Sequence, residues 1–167
     1  MMQIYHCNTI EVAAPKLSTV ARNGDFGLGV YMSENMDYAR QQAAALALRE
    51  ELPFGIISAF ETPIGLLSYS ALRTRKFLSI GDAWLNFILK NRRNPQAKKP
   101  YDIIYGPALD DYGYTCLNAF ESGFMERSEL IDVLKTRKLP SQILFRTAKS
   151  LLFLDFTGKE KVPCPKK

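Results

Sequence analysis

Apolar residues recur along this chain at two spacings, and the alternation between them sets the order of elements. In MDYARQQAAALALREEL (36–52), Met36, Ala39, Ala43 and Leu46 share one helical face, and Asn35 stands where a side-chain oxygen caps a first turn. Pro53 and Gly55 close that helix. DAWLNFILKNRR (82–93) repeats the helical pattern, with Trp84, Leu85, Ile88 and Leu89 inward and Asp82 as its cap. DDYGYTCLNAFESG (110–123) predicts a helix stopped by Gly123, and SELIDVLKTRK (128–138) one begun by Ser128 and ended before Pro140. Between them lie short segments rich in β-branched and aromatic residues: MQIYH, GVYMS, GIISAFE, RKFLSI, YDIIYGP, QILF and SLLFLDF. SLLFLDF (150–156) is almost continuously apolar and predicts a central strand. Strands scattered among helices, without a regular βαβ succession, predict the α+β class.

The 167 residues suffice for one core, so the expectation is a single domain over 1–157 followed by a loose basic tail over 158–167. No apolar run is long enough to span a bilayer, and the N-terminus lacks the pattern of a signal peptide; a soluble cytoplasmic protein without a membrane partner is expected. Three cysteines at unrelated spacings predict reduced thiols, and a single histidine excludes sites that need two imidazoles. The net charge of +5 gathers in 90–99 and 159–167, with a smaller group at 73–76, either as solvated loops or as attraction for phosphates.

Catalytic chemistry has few places to reside. In DFGLGVYMSENMDYA (25–39), Gly27 and Gly29 form no dinucleotide fingerprint, because the third glycine is missing and a strand follows where that motif needs a helix. The glycines permit close approach of backbone to a flat ligand, with Tyr31 on the following strand and Tyr38 in the first turn of the helix. The paired carboxylates Asp110 and Asp111 offer either a helix cap or a base with a raised pKa. Asp25 is read as fixing the tight turn, and Arg22 either as solvated or as reaching a pyrophosphate.

Taken together, YHCNT (5–9) and DFGLGVYMSENMDYA resemble the ADP-ribosyltransferase superfamily, in the branch that uses His, Tyr and a third acidic or amide residue. More closely, DFGLGVY, WLNFILKNRR, YDIIYGPALDD and SQILF resemble, in that order, the motifs of a bacterial family of unknown function, DUF3990, over residues 4 to about 156. The resemblance implies a split β-sheet core with flanking helices and NAD as substrate. It assigns His6 to a ribose hydroxyl, the backbone of Cys7 to the nicotinamide carboxamide, Tyr31 and Tyr38 to the two faces of the nicotinamide, and Gln142 to the third position. Gly27, Gly29 and Arg22 complete the NAD-binding set. Cys7 replaces the usual glycine, and Gln142 the usual glutamate. Two functions follow as expectations. One is an NAD-dependent mono-ADP-ribosyltransferase modifying a protein or nucleic-acid acceptor, in one form a toxin with an antitoxin partner. The other is a catalytically weak or inactive NAD, ADP-ribose or partner-binding module.

Overall fold

The computed structural model describes residues 1–166. In chain order the elements are β1 (Met2–Asn8), α1 (Leu17–Val20), β2 (Arg22–Gly24), β3 (Gly27–Met32), α2 (Met36–Arg49), β4 (Phe54–Thr62), β5 (Thr74–Lys76) and α3 (Asp82–Arg93). There follow β6 (Ile103–Pro107), α4 (Asp111–Glu121), α5 (Arg127–Thr136), β7 (Ser141–Phe145), α6 (Ala148–Leu151) and β8 (Asp155–Pro163). The class is α+β, with two sheets and six helices among the described residues.

One sheet has the order β1-β4-β8 and is antiparallel throughout; the other has the order β2-β3-β7-β6-β5, with only β5 and β6 parallel. The two are joined by a backbone bridge past the end of β3, where Tyr5 and Ser33 exchange hydrogen bonds of 2.9 and 3.0 Å. Alternation along β3 decides what each face covers. Val30 and Met32 join Ile4, Phe60, Ile143 and Phe145 in a core between the sheets. Tyr31 and Leu144 turn to the opposite face, against Trp84, Leu85, Ile88, Leu117, Leu130 and Leu134 from α3, α4 and α5. On the far side of the first sheet, Ala39 and Ala43 seat α2 on Ile57. Among the described residues no helix is long and apolar enough to cross a membrane.

Asn35 caps α2 as its position predicts, its side chain accepting from the Tyr38 N–H at 2.9 Å. Two other caps differ from expectation. Gly81, not Asp82, precedes α3, and Asp82 instead accepts from Arg127 Nε at 2.7 Å. Helix α5 starts from Glu126, whose side chain forms a reciprocal capping box with Glu129; Ser128 lies already inside the first turn. The expected strand over 75–80 is reduced to three residues by the chain leaving the sheet after Lys76.

The largest differences concern the C-terminal segment. SLLFLDF is not a central strand. Thr147 and Ser150 cap each other, Thr147 also bonds the buried Asp102 at 2.9 Å, and this nucleates the short helix α6. The apolar run then covers the inter-sheet core with Leu151, Phe153 and Leu154, and β7 takes the central place. Nor is 158–163 a loose tail: it belongs to β8, which pairs with β4 from Phe54 to Glu61. Arg40 of α2 holds the Glu160 carboxylate at 2.8 Å. Charged residues on an edge strand are a common device against unwanted pairing, so a basic composition disguised a strand. Lys167 lies outside the described residues.

Gly29 is dictated by the approach of β7. A Cβ there would fall 2.5 Å from the Phe145 carbonyl oxygen and 2.6 Å from Leu144 Cδ1. Gly29→Ala is expected to force β3 and β7 apart and cost about 1–3 kcal/mol, read as a lowered urea midpoint with an unchanged m-value.

Candidate functional site

The site begins where the two sheets separate. Directly after the Tyr5–Ser33 bridge, His6 projects from β1, and its Nδ1 lies 2.9 Å from the Tyr31 carbonyl oxygen. A carbonyl only accepts, so Nδ1 carries the proton and the neutral ring leaves Nε2 as an acceptor. That Nε2 is buried and has no hydrogen-bond partner among the described residues. Burial holds the His6 pKa below its ordinary value, overriding the bond to Tyr31, so the ring is neutral near pH 7.

His6, Cys7, Arg22, Tyr31, Tyr38 and Gln142 all line one small cavity of about 90 Å³, contributed by β1, β2, β3, α2 and β7. It adjoins a wider cleft of about 610 Å³, to which Arg22, Tyr31, Tyr38 and Gln142 also belong. The cleft falls in the size range of small-molecule sites, roughly 300–1,000 Å³, while the inner cavity suits only one small group. Residues separated by as much as the length from β1 to β7 are thus gathered by sheet topology.

Each side chain has a defined role in this arrangement. The Tyr31 hydroxyl accepts from the N–H groups of Gly24 and Phe26, each at 3.1 Å, and donates to the Gly27 carbonyl at 2.5 Å. It therefore closes the β2–β3 turn. Burial raises its pKa well above the ordinary tyrosine value. The Arg22 guanidinium covers one face of the Tyr31 ring, 4.8 Å from its centroid. Tyr38 is half-buried, with its pKa pushed by burial to about 12. The Cys7 thiol donates to the Ala39 carbonyl at 3.1 Å, and burial pushes its pKa up to about 12, so it is a neutral thiol and not a nucleophile.

Gly27 and Gly29 are not brought to the cavity. Gly27 has a φ of +104°, which makes the turn after Phe26, and its Cα faces Lys99 and Asn91. Gly29 faces β7. The two glycines that suggested close approach to a ligand serve close approach between protein segments.

The acidic candidates also resolve. Asp110 caps α4, accepting from the Gly113 N–H at 2.7 Å, and binds Arg137 Nε at 2.6 Å. Asp111 lies in the first turn of α4 and is exposed, at the rim of the cleft. The buried carboxylate lining the cleft is Asp25. Its Oδ2 accepts from Gln142 Nε2 and from the Leu109 N–H, both at 3.2 Å, and its Oδ1 accepts from the Tyr114 hydroxyl. Sequence reasoning assigned Asp25 only to the turn, because nothing local reveals a bond to a residue on β7. Gln42, one turn after Tyr38 on α2, also lines both cavities, and its i,i+4 spacing was the available signal.

Comparison with curated proteins finds no match. Residues 2–156 match the model of a family described as a protein of unknown function, DUF3990, and with nearly its whole length matched the chain belongs to that family.

Proposed function

We propose that this protein has the ADP-ribosyltransferase split-sheet fold and uses NAD as a substrate, cleaving the bond between nicotinamide and ribose and transferring ADP-ribose to a macromolecular acceptor. The supporting observation is the convergence of His6, Tyr31, Tyr38 and Gln142 on one cavity, with a buried imidazole acceptor left without a partner. An orphaned buried acceptor costs free energy that a ligand hydroxyl would recover. His6 Nε2 accepts a hydrogen bond from a ribose hydroxyl, the reverse of the imidazole N–H donation that the resemblance implies, because its N–H is already given to Tyr31.

Tyr31 and Tyr38 both line the inner cavity, and in this reading they enclose the nicotinamide ring. Arg22 leaves the face of Tyr31 and meets the pyrophosphate in the wider cleft, where its charge is of the right sign. Positive charge develops on the ribose as the glycosidic bond lengthens. The chain lowers that barrier by positioning and by the acceptors it directs at the sugar. Cys7 supplies no nucleophile, and the attacking group comes from the acceptor. An intracellular enzyme of this kind would restrict growth when expressed alone, and an antitoxin would be its natural partner.

The amide at Gln142 favours a second reading, an NAD- or ADP-ribose-binding module with little turnover, since an amide cannot take a proton. Incubation with NAD labelled in the adenylate half separates the two. Nicotinamide release and label on an acceptor support the transferase. A rise in melting temperature with NAD, about 2.7 kcal/mol of stabilisation at 100 times Kd, without release, supports the module. Neither release nor a shift excludes both.

A further inference from the structure

We infer that Asp25 is a positioning residue for Gln142, fixing its amide so that Oε1 serves the ligand as an acceptor and supplying from behind it the negative charge that an amide lacks. The role in catalysis rests on the NAD reading above; the pairing itself does not. Four observations support the assignment. Gln142 Nε2 lies 3.2 Å from Asp25 Oδ2, and a carboxylate only accepts, so the amide cannot flip without setting oxygen against oxygen. With Nε2 occupied, Oε1 is what Gln142 offers to the two cavities that it lines. Asp25 is itself fixed, by the Leu109 N–H on Oδ2 and the Tyr114 hydroxyl on Oδ1, and the turn that carries it is closed by Tyr31. Both residues are buried, Asp25 to 8 % and Gln142 to 6 % exposure, where a hydrogen bond to a charged group counts for more than at the surface.

The pairing also explains why residue 142 is an amide. A glutamate there would set a second carboxylate against Asp25 at hydrogen-bond distance, and two such groups cannot both ionise freely. Carboxylate and amide together divide between two residues what a single glutamate would combine: acceptor geometry and negative charge.

The test uses the full chain with D25N, Q142E and the exchanged pair D25N/Q142E, each followed by melting temperature from pH 5 to pH 8 and by kcat and KM for NAD. Q142E is expected to melt well below the wild type at pH 8 and to approach it toward pH 5, where the two carboxylates share a proton. Other groups around the pair do not confuse that window. Tyr31, Tyr38 and Tyr114 have pKa values raised by burial, and Arg22 and the lowered pKa of His6 are common to all variants. Asp110 is held by Arg137 and Lys138 lies at the rim of the cleft; both are also present throughout. D25N is expected to lower kcat about 10- to 100-fold with KM little changed, the scale on which outer partners of a ligating group act. The exchanged pair restores one charge and one hydrogen bond, and is expected to exceed both single variants in kcat and in melting temperature.

Parallel melting of Q142E and wild type from pH 5 to pH 8 would overturn the pairing, whatever NAD does. An exchanged pair that recovers stability but not kcat would overturn the positioning role and leave Asp25 as an anchor of the turn. A wild type that neither cleaves nor binds NAD removes the NAD reading and with it the catalytic role, while the melting behaviour of Q142E and its reversal still decide the pairing. Should D25N not fold, Q142E alone carries the pH test.

Discussion

His6→Ala is expected to reduce nicotinamide release from NAD by about 100-fold or more, with a smaller effect on the fold. The imidazole is the one side chain of the cavity with a buried acceptor left unfilled, so its removal takes away the contact that orients the sugar, and misplacement of about 1 Å costs about 10²-fold. The structural loss is the bond from Nδ1 to the Tyr31 carbonyl, worth about 1 kcal/mol net. The pH dependence supplies an independent check. Burial lowers the His6 pKa, so as pH falls below the ordinary histidine value of about 6.5 the unfolded chain takes a proton that the folded chain refuses. The contribution of His6 to stability is therefore intact above that value and declines below it. The difference in stability between wild type and His6→Ala should shrink between pH 6.5 and pH 5, while turnover persists below pH 6.5 because Nε2 remains an acceptor. Turnover by His6→Ala within a few-fold of wild type would remove the imidazole from the mechanism.

The parts of the molecule legible in the sequence are those whose signals are local. Trp84, Leu85, Ile88 and Leu89 are buried on α3 because a 3.6-residue period can be read without knowing what it packs against. Asn35 is recognisable as a cap from its neighbours alone. What escaped depends on partners distant in sequence. The apolar run 150–156 has the composition of a buried strand, yet Thr147 is bonded to Asp102, and that contact selects a helical turn. The basic stretch after Gly158 looks like a solvated tail until β4 supplies its ladder. The site divides in the same way. His6, Cys7, Tyr31, Tyr38 and Gln142 were found through ordered motifs and do share a cavity. Gly27 and Gly29 were misread because a glycine shows that something comes close, not what. Asp25 was undervalued because its partners, Leu109, Tyr114 and Gln142, all lie more than eighty residues further along.

Tyr31 is where fold and function can be separated, by comparing Tyr31→Phe with Tyr31→Ala. Phenylalanine keeps the ring and removes only the hydroxyl, leaving the N–H groups of Gly24 and Phe26 and the carbonyl of Gly27 without their partner. Each such buried group costs about 1–3 kcal/mol, so Tyr31→Phe is expected to lose a few kcal/mol in urea unfolding. Because the same turn carries Asp25, loosening it releases the carboxylate that holds Gln142, and kcat should fall while the KM for NAD changes little. Alanine removes the ring as well, adding the cost of a cavity among Phe26, Ile104 and Leu144, about 3–5 kcal/mol in total for an aromatic residue. It also removes one wall of the inner cavity, so NAD binding itself should be lost, read as the disappearance of the NAD-induced rise in melting temperature. High pH offers a further distinction: burial raises the Tyr31 pKa, so stability is full below about pH 10 and declines above it as the unfolded chain deprotonates. That decline should be shallower in Tyr31→Phe. A phenylalanine variant as stable as wild type would show that the hydroxyl does not close the turn. An alanine variant that folds and still binds NAD with unchanged KM would show that the ring does not meet the nicotinamide, and the enclosure by two tyrosines would have to be abandoned even if His6 remained essential.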